Sequence, residues 1–238
     1  MPKICLDAGH NNSGADTGAA GNNLREELLT LDICQRIKAL LELNDFEVVM
    51  TREGDFVNGP HNTVNESLQT RCNIANKAEA DLFISVHINA GGGTGQEIYI
   101  CGGGGQAEKF AKISLYYLLQ QCAWKDRGVK TSNFLVLENT TMPAILTENG
   151  FIDNAADASL LRAEDFRQKI AVAHAKAICD YYKQTYNDKQ APVSSPTAEA
   201  LSSIVNKISA EDDSHLTDKT KQALVLLKQA IKLLEESR

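Results

Sequence analysis

Asp81-Leu82-Phe83-Ile84-Ser85-Val86-His87-Ile88-Asn89-Ala90, followed by Gly91-Gly92-Gly93, is the stretch on which the fold turns. An apolar run of this length, rich in β-branched and aromatic residues and bounded by glycines, reads as a buried strand. His87 stands at its carboxyl end. In open α/β sheets ligands gather just outside the carboxyl ends of the strands, so a histidine there is placed for chemistry, with a satisfied core histidine as the plainer alternative.

Working outward, Phe46–Thr51 reads as a strand, and Leu68, Cys72 and Ala75 mark a helix leading into the central run. Strand, helix, strand in that order implies parallel pairing through a right-handed crossover. Toward the amino terminus, Lys3–Asp7 is a short strand that breaks at Ala8-Gly9, with His10 next. A Gly-, Asn- and Ser-rich loop from Asn11 to Asn23 follows. Leu28, Leu31, Ile33, Ile37, Leu40 and Leu41 then give a helix over about Arg25–Leu43, and Asn23 and Glu26 have the spacing of a capping box.

Toward the carboxyl terminus, further strands are expected at Gln96–Cys101, Phe134–Leu137 and Ala144–Thr147, with helices at Gln106–Gln121 and Glu164–Tyr182. The Gly102–Gly105 run lacks both GxGxxG with its acidic partner and the P-loop lysine, which argues against a phosphate cradle. The fold class expected is α/β: a single open, mostly parallel twisted sheet of about six strands flanked by helices.

From Thr185 the composition shifts to Pro, Ser, Asn, Asp and Gln. The expected organisation is a catalytic domain over 1–184, a linker over 185–200 and a small helical hairpin over 201–238. In that hairpin Leu224, Leu227, Ile231 and Leu234 form a miniature coiled-coil seam, suited to a homodimer, to docking on the main domain or to wall targeting.

The net charge of -7 over 238 residues, with a pI near 5.3, argues against a nucleic-acid partner. No stretch approaches the roughly 18 apolar residues of a membrane span, so no membrane insertion is expected. The start Met1-Pro2-Lys3-Ile4 runs straight into a strand with no leader pattern, which points to synthesis in the cytoplasm without a signal peptide. Six cysteines scattered one to an element read as buried apolar filler.

Four residues stand at ends of elements that a parallel sheet brings to one edge: His10, Glu26, His87 and Glu148. Two imidazoles and a carboxylate are a usual set for a catalytic zinc, and the fourth residue would be the base. Nitrogen donors favour zinc over magnesium or calcium. Each residue also has an ordinary reading: Glu26 as a helix cap, Glu148 as a solvated loop carboxylate, Asp7 as an orienter of backbone.

Ile4-Cys5-Leu6-Asp7-Ala8-Gly9-His10, Leu24-Arg25-Glu26, Val48–Arg52, Arg71 with Ile74-Ala75-Asn76, Ser85–Ala90, Asp126-Arg127-Gly128-Val129 and Thr147–Asn154 together resemble the zinc-dependent N-acetylmuramoyl-L-alanine amidases, in order over about residues 2–184. The resemblance implies Zn2+ as cofactor and peptidoglycan as substrate, cut between N-acetylmuramic acid and the L-alanine of the stem peptide. It also implies His10, Glu26 and His87 as metal ligands and Glu148 as the catalytic glutamate. Asn89, Glu97 and Arg52 would bind substrate or support the site. Glu27 exchanges with Glu26 if the helix begins one residue later.

Departures from the family pattern are Ala8, Asn11-Asn12 and the polar Asn149 after the catalytic glutamate. Only Gly91–Gly95 follows the second histidine, where some relatives carry a plugging helix, so the site is expected to be open without an activator. With no leader, that resembles a phage or prophage endolysin released to the wall after synthesis, the alternative being the mature form of an exported enzyme whose leader has been removed. The alternatives are a zinc peptidase acting within the stem peptide and a wall-binding module without catalysis.

Overall fold

In the computed structural model, the structure describes residues 1–57, 62–188 and 228–229. In chain order the elements are β1 (Lys3–Ala8), β2 (Ala20–Gly21), β3 (Leu24–Arg25), α1 (Glu26–Glu42), β4 (Glu47–Met50), α2 (Val64–Lys77), β5 (Leu82–Asn89) and β6 (Gln96–Ile100). They continue as α3 (Gly105–Cys122), β7 (Asp126–Thr131), α4 (Leu135–Glu138), β8 (Ala144–Phe151), α5 (Ala155–Arg162) and α6 (Glu164–Tyr181). All but two residues of the expected helical hairpin, and most of the linker, lie outside the described residues. No helix among the described residues is long and apolar enough to cross a membrane.

The main sheet has six strands in the order β4-β1-β5-β8-β6-β7. β4, β1, β5 and β8 are mutually parallel, and β6 runs against β8 while pairing in parallel with β7. The short Ala90–Gly95 connection explains the reversal: a parallel return needs a crossover of a dozen or more residues. The chain therefore steps past one strand position and runs back, and β8 fills the slot left between β5 and β6.

Side-chain alternation divides the sheet into two unlike faces. Leu82, Ile84, Val86 and Ile88 of β5 point into the larger core with Ile33, Ile37 and Leu41 of α1, Phe110 of α3 and Ile170 and Ile178 of α6. Phe83 of β5 joins a smaller cluster on the other face, with Cys5, Leu146, Cys72 and Ala75 of α2, and Val136 and Leu137 of α4. Ser85, His87 and Asn89 continue the Phe83 row, and Glu148 continues the Ala144 and Leu146 row. This row turns polar where α2 and α4 stop covering it, so the chemistry lies at the carboxyl end of the thinner face.

Three sequence expectations change. Phe134–Leu137 is not a strand: Leu135–Glu138 makes one helical turn that drops Val136 and Leu137 onto the smaller core. The sixth strand is Asp126–Thr131, an edge strand whose charged side chains hide its periodicity. Asn23 and Glu26 form no capping box, since α1 starts at Glu26 with Arg25 as an N-cap that makes no side-chain bond. The box belongs to α2, where Thr63 and Glu66 bond reciprocally. Five of the six free cysteines are buried, and Cys101 is exposed.

Candidate metal and catalytic centre

Each candidate arrives on a different element. His10 follows β1 in a left-handed backbone conformation, φ 63°, which a non-glycine residue adopts only when its surroundings impose it. Those surroundings are two buried arginines. Arg71 donates through Nη1 to Asp7 Oδ1 (2.8 Å) and the Ala8 carbonyl (2.7 Å), and through Nη2 to the His10 carbonyl (2.8 Å). Arg52, only 1% exposed, donates to the carbonyls of Ala8 (2.9 Å), Gly9 (3.0 Å) and Glu27 (2.7 Å). Arg52 therefore supports the His10 turn from behind and presents no surface to a substrate.

Glu26 opens α1 and turns its carboxylate away from the helix. Oε2 accepts from the Ala19 amide (2.9 Å), and Oε1 from the Ile88 amide (3.0 Å). The same Oε1 lies 3.0 Å from His87 Nδ1 and 3.4 Å from His10 Nε2. One ligand-type atom from each of His10, Glu26 and His87 falls within 4.8 Å of the others. Glu27 points to Arg25 instead and is absent from this cluster.

Burial works to raise the Glu26 pKa, yet the two imidazoles outweigh it and hold the carboxyl far below the usual range. His10 shows the converse. Burial opposes its charge, but the carboxylates of Asp16 and Glu26 lift it to about 10. The three groups thus converge on one point, with two nitrogen donors and one oxygen donor, a set that a divalent cation fits chemically.

Glu148 stands opposite His87 in the parallel β5–β8 register and opposite Glu97 in the antiparallel β6–β8 register. Its Oε2 is buried with no hydrogen-bond partner among the described residues. Burial, reinforced by the charges of Glu26 and Glu97, pushes its pKa well above that of an ordinary glutamate. An unsatisfied, proton-hungry carboxylate next to three convergent donors is what a general base requires.

Glu97 is the opposite case. Oε1 accepts from Asn89 (2.8 Å) and Tyr99 (2.8 Å), and Oε2 from Arg127 (2.5 Å) and Lys130 (2.6 Å). Burial alone would raise its pKa, but Lys130, Arg127 and Tyr99 hold it at about 2. It is a fixed anion with no capacity left for a proton. Asn89 has its amide on Glu97 and its carbonyl oxygen on the Ala90 amide (2.8 Å). Asn149 donates to the His87 carbonyl (3.0 Å) and to Thr147 Oγ1 (3.1 Å), so its amide braces the backbone beneath His87.

The family model described as N-acetylmuramoyl-L-alanine amidase matches residues 4–180, an interval that holds every group in this centre. The chain belongs to the N-acetylmuramoyl-L-alanine amidase family. It is 42% identical over 191 residues to the N-acetylmuramoyl-L-alanine amidase CwlM of Bacillus licheniformis, spanning 79% of this chain and 71% of that one. It is 40% identical over 185 residues to the endolysin of Bacillus phage SPP1, spanning 74% and 65%. The catalytic domain of CwlV, an N-acetylmuramoyl-L-alanine amidase from Bacillus (Paenibacillus) polymyxa var. colistinus, superposes with a TM-score of 0.69 at 31% identity, covering 78% of this chain and 100% of that one.

One residue of the amidase centre escaped the sequence reading. Asp16 lies in the Asn11–Asn23 loop, with Oδ1 3.1 Å from His10 Nδ1. Its Oδ2 accepts from Ser67 (2.6 Å) and Arg71 (3.2 Å). A carboxylate on one imidazole nitrogen fixes the tautomer and leaves the other free to act as a donor atom. The only available signal was an aspartate six residues after a candidate histidine, in a loop where aspartate is common.

Proposed function

We propose that this peptidoglycan amidase works with a zinc ion held by His10, Glu26 and His87, and that Glu148 is the base that activates water. The observation that carries the reading is the pairing of three convergent donor groups with a buried carboxylate oxygen that has no partner. Zinc would supply Lewis acidity, polarising a carbonyl oxygen and lowering the pKa of water to roughly 7.

The protein's own groups account for the rest. Glu148 takes a proton from the attacking water as its oxygen bonds to the lactyl carbonyl carbon. It then delivers that proton to the alanine nitrogen as the carbon–nitrogen bond breaks, leaving a carboxylic acid on the sugar and a free amine on the peptide. Asp16 keeps the His10 Nδ1 proton in place, so that Nε2 faces the centre. Glu97, saturated with donors, stays ionised and keeps negative charge beside Glu148.

The loop from β5 to β6 supports an open site. Asp153 accepts from the Gly91 (2.8 Å) and Gly92 (2.7 Å) amides, Asn154 donates to the Gly93 carbonyl (3.0 Å), and Asp157 accepts from the Gly95 amide (3.1 Å). A short loop tied down at four points has no length with which to cover the centre.

Digestion of purified peptidoglycan tests the proposal. Free amino groups should appear on L-alanine alone, cease on chelation and return with added zinc. New amino termini on other stem residues would indicate a peptidase, and binding without release would indicate a wall-binding module.

A backbone test addresses the metal set directly. A Cβ on Gly9 would sit 2.5 Å from His87 Cε1 and 2.6 Å from Nε2. Gly9→Ala must therefore displace the imidazole, and we expect zinc affinity to fall by at least about ten-fold in competition with a chromogenic chelator. Gly103→Ala is the control, because nothing lies within 4 Å of a Cβ there.

A further inference from the structure

We propose that Arg127 and Lys130 form a cationic ledge that binds the free α-carboxylate of the second stem-peptide residue, so that the peptide half of the substrate lies across β6 and β7. This rests on the amidase reading and adds a direction and a specificity to it.

The ledge is produced by an irregularity in the edge strand. Residues 127 and 130 are three apart, and in a regular strand they would point to opposite faces. Both nevertheless reach Glu97 Oε2 on the face that carries Glu148. The β6–β7 register shows how. Gln96 pairs with Asp126 but Ile98 pairs with Val129, so Arg127 and Gly128 together face Glu97. This is a β-bulge, with Gly128 supplying φ 82°. Bulges re-aim side chains, and this one turns Arg127 onto the catalytic face.

The re-aimed side chain is held in place with its working end free. Arg127 Nε is taken by Glu97, and its guanidinium lies 4.8 Å from the centroid of the Phe151 ring. Neither terminal nitrogen has a hydrogen-bond partner among the described residues. Lys130 is braced over Tyr99, 5.7 Å from the ring centroid. The Arg127 and Lys130 side chains are 28% and 37% exposed, against 2% for Glu97, so the anion is sealed beneath and the cations face solvent. Two cations on one carboxylate leave an excess positive charge beside the centre of a chain whose net charge is -7. An outward guanidinium fork matches the two oxygens of a carboxylate.

The spacing agrees. Adjacent strands lie about 4.8 Å apart, so β7 is about 10 Å from the strand carrying Glu148, and the Arg127 side chain reaches back across part of that gap. From the alanine nitrogen, two extended residues span about 7 Å, which brings the next α-carboxyl over Arg127.

The test compares two muramoyl tripeptides whose second residue is linked onward through its side-chain carboxyl and carries its α-carboxyl either free or as the amide. The zinc-loaded full chain should cleave the carboxylate form with kcat/KM about ten-fold higher, mainly through KM, and added salt should reduce that ratio. Arg127→Lys keeps a cation on Glu97 but loses the fork, and should bring the ratio to about three or less. Equal kcat/KM for the two substrates in the unaltered enzyme, or an undiminished ratio in Arg127→Lys, overturns the ledge while the amidase reading stands. Cleavage of neither substrate overturns both.

Discussion

Glu148→Gln is expected to lower kcat by about 10³-fold while zinc content and fold are retained. Glutamine matches glutamate in shape but cannot accept the proton that hydrolysis must move. The substitution should also be mild for the fold. Glu148 is half-buried, faces the charges of Glu26 and Glu97, and has one sealed oxygen without a partner among the described residues, so a neutral amide relieves repulsion instead of breaking a bond. We therefore expect an unchanged or slightly higher melting temperature. Turnover of a muramoyl peptide, metal analysis and a thermal scan on one preparation check all three. Activity within ten-fold of the original would remove Glu148 as base, and loss of zinc together with activity would make it a ligand.

The largest stability effect should come from a residue that touches no substrate. Arg71 is 1% exposed and neutralises two carboxylates that are themselves buried, Asp7 and Asp16. It also donates to Asn11 Oδ1 (3.1 Å), which accepts from the Val57 amide (3.0 Å) as well. Arg71→Met leaves Asp7 without its cation and Asp16 with His10 alone in a low-dielectric interior, and removing one partner of such a network costs about 3–5 kcal/mol. For a chain of this length that is a fall in melting temperature of about 10 °C. Urea denaturation should show the midpoint falling in proportion, and a loss under about 1 kcal/mol would mean that water replaces the guanidinium. Because Arg71 also holds the His10 carbonyl, the surviving folded fraction should bind zinc more weakly.

The strands of the sheet centre were legible because burial on both faces leaves a continuous apolar run, as in Leu82–Ile88. The edge was not. Asp126–Thr131 carries Asp, Arg, Lys and Thr on a bulged strand with one open side, whereas Phe134-Leu135-Val136-Leu137 has strand composition and yet forms one helical turn over the smaller core. The helix α5 was also missed: its eight residues are too few for a periodic pattern, and its start depends on Asn154 capping the amides of Ala156 and Asp157.

For the site, residues that end strands or begin helices could be located from the chain, because topology alone brings His10, Glu26, His87 and Glu148 to one edge. The supporting charges could not. Asp16 and Arg71 sit 55 positions apart, and no local pattern announces that a loop aspartate and a helix arginine meet behind a histidine. The Arg127 ledge was hidden for a related reason, since only the register with β6 reveals the extra residue that turns it.

The reversal of β6 also separates two places where the chain could be lengthened. Its first residues adjoin Glu148, but Tyr99 is already level with Leu146, so the exposed Gly102–Gly104 turn leaves from the far edge of the sheet. Material grafted into the Gly91–Gly95 loop would stand over the centre and act as a gate. Material grafted at Gly102–Gly104 would leave on the other side, giving an anchoring point from which a wall-binding partner or a surface linker could carry the enzyme without shading the groups that do the cutting.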